Sequence, residues 1–141
     1  MTAQPIADTG FLYAYLNPDD AHHAWAVERF QEYSGFVTCE AVITELCHLC
    51  GKKLGDYIKP LNLLTSRAVR VPYVFGGDEA RIDALMRQYE DRPMDFADAC
   101  LVRMAELDPD KPVLTVDRDF FVYRRDRTKA IDVVHPSRDS L

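Results

Sequence analysis

Short apolar runs alternate with stretches of helical period along the chain. Runs at residues 4–8, 36–38, 68–74, 112–116 and 131–134 are short, β-branched or apolar, and bounded by turn residues, which predicts strands. Between them, apolar positions recur at threes and fours over residues 10–16, 20–33, 39–50, 57–66, 77–89 and 95–107, which predicts helices. That alternation predicts an α/β fold, a three-layer α/β/α sandwich around a central, mostly parallel sheet of about five strands. Linkers such as Asn17-Pro18-Asp19 and Asp108-Pro109-Asp110 are short and carry turn chemistry, so residues 1–141 are expected to form a single domain. The polar tail, residues 137–141, is expected to fray.

Composition narrows the function classes. With 48% hydrophobic and 28% charged residues the chain matches a soluble globular protein. It has no apolar run near the roughly 20 residues that span a bilayer, and Asp8 stands where a secretory signal has its apolar core. No membrane association and a cytoplasmic location are therefore expected. A net charge of −6 disfavours binding nucleic acid by bulk electrostatics, so any such contact must be local. The four cysteines are expected to stay reduced. Cys47-His48-Leu49-Cys50 invites zinc, but both thiols share a stripe with Ile43 and Leu46 and no second pair follows, which favours core packing.

Four acids sit where predicted elements converge. Asp8 closes the first apolar run and Asp117 the fourth, which places both at carboxyl ends of strands, where open α/β sheets bind ligands. Asp98 heads a helix face shared by Leu101, Val102 and Ala105, with Ala99, Arg103 and Glu106 on another. A carboxylate beside a core is costly unless it is paired, hydrogen-bonded or metal-bound. Glu45 borders the stripe that packs on the sheet, whereas Glu40, a turn earlier, reads as solvated. Each has a plainer alternative: Asp8 and Asp95 as helix caps, Asp98 as an acid favoured in a first turn, Glu45 as a surface residue, Asp119 as ligand, cap or solvated side chain. Carboxylates brought together raise one another's pKa values, and a divalent cation relieves that cost. Oxygen-only ligands select Mg²⁺ or Mn²⁺.

The segments Ala7-Asp8-Thr9-Gly10-Phe11-Leu12, Thr44-Glu45-Leu46, Met94 to Leu101 and Thr115-Val116-Asp117 with Phe120 resemble, in order, those of PIN-domain nucleases, the family that includes VapC-type toxins of bacterial toxin–antitoxin pairs. The resemblance implies a PIN-like sandwich and a metal-dependent endoribonuclease that hydrolyses RNA phosphodiester bonds. In it Asp8, Glu45, Asp98 and Asp117 would be the catalytic, metal-holding quartet, supported by the Thr115 hydroxyl, with Asp95 and Asp119 as additional candidates. It also implies an RNA substrate, a cognate antitoxin and a homodimer; Trp25, Val27 and Phe30 read as core or, where exposed, as a candidate contact stripe for such a partner. Gly10 departs from relatives that carry a polar side chain after the Thr. Arg118, Arg124 and Arg125 follow Asp117 closely and offer guanidinium groups for phosphate contacts, as Lys52 and Lys53 do after the Glu45 helix. The competing function is a non-catalytic PIN-like module that binds RNA or a protein with the acids serving architecture alone.

Overall fold

The first strand, β1 (Ile6–Ala7), runs through the middle of the molecule with both residues fully buried, and the chain winds outward from it in two directions. The computed structural model describes residues 4–92 and 94–139. After β1 come α1 (Thr9–Leu16), α2 (His23–Glu32), β2 (Phe36–Val37), α3 (Glu40–Leu54), α4 (Leu61–Thr65), β3 (Val69–Arg70), α5 (Glu79–Gln88), α6 (Phe96–Leu107) and β4 (Val113–Leu114). A 3-10 turn (Asp119–Phe121), β5 (Arg124–Arg125), β6 (Lys129–Ala130), β7 (Val133–Val134) and α7 (Pro136–Asp139) follow. Five strands form one sheet in the order β3-β2-β1-β4-β7, and every neighbouring pair is parallel.

Parallel neighbours require crossovers, and right-handed crossovers put the helices leading outward to β3 on one face and those returning to β4 on the other. Packing agrees, since α1 lies against α2 and α3, and α5 lies against α6. The fold is the three-layer sandwich that the alternation predicted. The strands are short, yet backbone bonds extend their ladders: the Asp8 amide donates to the Leu114 carbonyl (3.0 Å), and Thr115 donates to Val134 (3.2 Å). This puts residue 8 and residue 115 side by side at the carboxyl edge of the sheet.

The differences from expectation have local causes. The run at 68–74 stops pairing after Arg70 because Pro72 has no amide to give and β3 is an edge. The helix expected from residue 39 to 50 continues to Leu54 and ends where Gly55 takes a left-handed φ of 70°. The one expected over 57–66 begins only after Pro60, because Asp56 holds the Ile58 amide in a turn. Residues 124–130, where no strand was expected, form the antiparallel β5–β6 hairpin through positive φ at Asp126 and Arg127. The expected fraying applies to neither 137 nor 138, which belong to α7: Arg138 stacks over the Phe121 ring and Ser137 bonds His135. Residues 140 and 141 lie outside the described residues.

Trp25 and Phe30 of the α2 stripe are half-buried against the core. Phe30 stacks on Tyr15 with centroids 3.6 Å apart and on Phe11, while Trp25 meets Phe11 edge-on. The face of α6 that carries Arg103 also holds a buried carboxylate, Glu106. Its side chain is 1% exposed and takes Arg81 Nε at 2.8 Å, Arg103 at 3.5 Å and the Asp126 amide at 2.7 Å. Breaking a buried pair strands the remaining charges, so Glu106→Gln is expected to cost about 3 kcal/mol, read as a lower urea midpoint. All four cysteines are free. Among the described residues no helix is long and apolar enough to cross a membrane.

Candidate active site

The strand order reverses at β1, because β2 follows it to one side and β4 lies on the other. A crevice opens at such a reversal outside the carboxyl ends of the strands, since the helices on its two sides leave for opposite faces. Here it is an open cleft of ≈ 920 Å³ lined by Asp8, Glu45, Asp95, Asp98, Asp117 and Asp119, together with Thr9, Gly10, His48, Leu49, Val116 and Arg118. The four acids expected to converge therefore share one cavity, and the two further candidates, Asp95 and Asp119, line it as well.

Asp8 stands between the end of β1 and the start of α1, so it is both ligand candidate and helix cap. Its Oδ1 accepts the Thr9 amide at 2.7 Å and its Oδ2 accepts the Thr115 hydroxyl at 2.7 Å. The same hydroxyl accepts the Asp117 amide at 2.9 Å, so Thr115 ties two of the four acids to the end of β4. Asp95 caps α6 by accepting the Asp98 amide at 2.8 Å, which leaves Asp98 in the first helical turn. Two of the cleft's walls are thus helix N-termini, whose partial positive charge favours carboxylates.

Sequence reasoning missed the partners of the other two acids. Tyr123, fully buried after the 3-10 turn, donates its hydroxyl to Asp98 Oδ2 at 2.9 Å. Thr9 donates to Glu45 Oε1 at 2.8 Å and so links α1 to α3. Only the apolar company of Tyr123 in Phe120-Phe121-Val122-Tyr123 hinted at its burial. His48, one turn beyond Glu45, lines the cleft, and Arg92 reaches Asp119 at 3.8 Å from the α5–α6 connection. The added Gly10 constraint is steric: a Cβ there would stand 2.6 Å from Val116 Cγ2.

The cations divide. Arg118 is exposed and lines the cleft. Arg124 instead donates one guanidinium nitrogen to the carbonyls of Phe121, Val122 and Tyr123, closing the 3-10 turn, and Arg125 pairs with Asp126. Neither lines the cleft, so the phosphate role expected of them is not supported by their placement.

The electrostatics are those of an uncompensated negative cluster. Burial, followed by repulsion from Asp8 and Asp95, pushes Asp98 up to about 8 despite the Tyr123 bond. Burial also raises Asp8 to about 6 against the opposing bonds from Thr115 and Thr9, with Asp117 and Glu45 adding repulsion. Glu45 is raised by burial, and Asp119 by burial and then Asp117. Tyr123→Phe removes the bond that favours ionised Asp98, so its pKa is expected to rise further, measurable by carboxyl ¹³C NMR titration.

Among the described residues no three His, Cys, Asp or Glu side chains already stand in a metal-holding arrangement. The carboxylates are spread around an open cleft and bonded to hydroxyls and amides. The donor set nonetheless fits a hard divalent cation. It is all oxygen, its charge is uncompensated, and Mg²⁺ keeps several of its waters and so needs few direct protein ligands.

The PIN domain family model matches residues 6–126. Among solved structures, the Mycobacterium tuberculosis toxin VapC20, described as cleaving the sarcin–ricin loop, superposes with a TM-score of 0.78 at 21% identity, covering 89% of this chain and 99% of that one. No curated protein matches the chain by sequence.

Proposed function

From the premise that this chain belongs to the PIN domain family, we propose that it is a divalent-metal-dependent endoribonuclease. The observation that carries this reading is the cleft itself: six carboxylates around one cavity at the reversal of the sheet, with Asp8 and Asp98 held near 6 and 8 chiefly by burial and further by repulsion from neighbouring carboxylates. A site built for architecture alone would not concentrate charge that its own fold penalises.

Asp8, Asp98 and Asp117 would hold Mg²⁺ or Mn²⁺, with Glu45 as ligand or as the group that orients the attacking water. The bound cation supplies an activated water at neutral pH and stabilises charge on the phosphate. The chain's own residues prepare that chemistry. Thr115 fixes Asp8 and the Asp117 backbone in one arrangement, Tyr123 fixes Asp98, and Thr9 fixes Glu45. Arg118 is the cleft guanidinium suited to grip a non-bridging phosphate oxygen. Asp95 serves by capping α6 and Asp119 by holding Arg92 at the rim. The fold likeness to VapC20, a toxin described as cleaving the sarcin–ricin loop, supports RNA as substrate and a cognate antitoxin as partner.

Incubating end-labelled structured RNA with the chain in Mn²⁺, in Mg²⁺ and in EDTA tests this directly. Fragments are expected with either cation and none with EDTA. RNA that is bound yet intact under all three conditions would instead identify a non-catalytic binding module.

A further inference from the structure

A second cavity, of ≈ 620 Å³, lies outside the cleft and shares no lining residue with it. Ile6 and Val37 form its floor on the face of the sheet that carries α6. Met104 and Leu107 of α6 form one wall, and Tyr73 and Val74, from the segment joining β3 to α5, form another. The polar groups beside that segment satisfy one another, because Asp78 Oδ2 accepts both the Tyr73 hydroxyl at 2.7 Å and Arg103 Nε at 2.8 Å. Another part of the lining differs. There Gln4, just before β1, holds two cations: its side-chain oxygen accepts Arg70 through Nε at 3.0 Å and also through Nη2, and its backbone carbonyl accepts Lys111 Nζ at 2.8 Å. Among the described residues Arg70 has no ion pair, and Lys111 reaches Asp108 only at 3.8 Å.

We propose that this cavity binds a small amphipathic carboxylate, its apolar body over Ile6 and Val37 and its anionic head on Arg70 and Lys111. Small-molecule sites have volumes of roughly 300–1,000 Å³, an apolar lining and a few polar groups that fix orientation, and this cavity has all three. The charge pattern selects the ligand. Arg70 spends only part of its donor fork, and spends it on a neutral amide oxygen, so a carboxylate can take what remains in the paired geometry that guanidinium favours. Two cations gathered on one uncharged residue also repel each other, a cost that a bound anion removes. An ion without an apolar body would leave the floor and walls unfilled, and a neutral apolar molecule would leave the two cations uncompensated. This inference stands apart from RNA cleavage, since no cleft carboxylate takes part in it.

The test titrates 2-naphthoate and its neutral counterpart 2-naphthamide into the full chain, followed by calorimetry and by methyl NMR, with circular dichroism to confirm folding. For a probe of this size the expected Kd is on the order of 10⁻⁴ M, with shifts centred on the methyls of Val37, Met104 and Leu107 and a raised Tm. The amide should bind about tenfold more weakly or worse. Arg70→Gln should remove most of that difference and leave the amide's affinity unchanged. Leu107→Glu, at a position 58% exposed, sets a charge in the apolar wall and should weaken both probes by about tenfold or more. Val74→Glu, at a position 72% exposed, repeats the measurement on the facing wall should Leu107→Glu not fold. Absence of binding, equal affinity for acid and amide, a difference that Arg70→Gln leaves unchanged, or shifts centred on the cleft would overturn the proposal. So would self-association that Leu107→Glu abolishes while neither probe binds the parent, which would give the cavity to a second copy.

Discussion

Asp8→Asn is expected to lower RNA cleavage by about three orders of magnitude while making the metal-free protein more stable than its parent at pH 8. The loss follows from removing a carboxylate from the proposed cation site. The gain follows from linkage. Asp8 is raised from 3.8 to about 6, so the folded state holds that proton more tightly than the unfolded chain does. Its contribution is present below the unfolded pKa, declines as pH rises toward 6, and is fully lost above it, a cost of about 3 kcal/mol at pH 8. Asn still caps α1 by accepting the Thr9 amide, but it offers the Thr115 hydroxyl no second carboxylate oxygen, which costs about 1 kcal/mol. The relief of burying a charge, with the smaller relief of repulsion from Asp117 and Glu45, exceeds the bond lost. Denaturant midpoints in EDTA at pH 8 decide this, and a midpoint below the parent's would contradict it.

The second large effect is a cation-dependent pH profile. Asp98, raised to about 8, behaves as Asp8 does over a wider window. Metal-free protein should therefore lose stability between about pH 4.5 and 8.5. Asp98 is half-buried and part of its shift is repulsion from Asp8, so its addition to the Asp8 cost is discounted, giving a total of about 5 kcal/mol, roughly a 15 °C fall in Tm for a chain of this size. His135 works in the other direction, since burial lowers its pKa and stability is lost as pH falls through the ordinary histidine range. Saturating Mn²⁺ neutralises the cleft but not His135, so the difference between the two Tm profiles isolates the carboxylates. That difference should widen with pH. Parallel profiles would remove the cleft from the account.

Much of this was legible in the sequence because two signals were independent. The period of the apolar positions gave the layers and the parallel sheet, and the acids at element ends gave the cleft, since a strand's last residue and a helix's first turn must meet at the carboxyl edge of a parallel sheet. What stayed hidden depends on partners distant in sequence. Tyr123 and Asp98 are 25 residues apart, Thr9 and Glu45 36, and no local pattern joins either pair. Arg124 was misread because a guanidinium near an acid suggests phosphate, while only the backbone path shows three carbonyls waiting for it. The sequence placed Glu106 on a helix face with Arg103, but nothing local shows that α5 brings Arg81 across to pair with it.

The central claim is that the Asp8, Asp98 and Asp117 carboxylates share a divalent cation, with Glu45 beside it. Anomalous scattering from crystals grown in Mn²⁺ tests it most directly. The account predicts a peak within the cleft, between Asp8, Asp98 and Asp117, that disappears in Asp8→Asn. A fully occupied Mn²⁺ elsewhere on the chain, with none in the cleft, would contradict it.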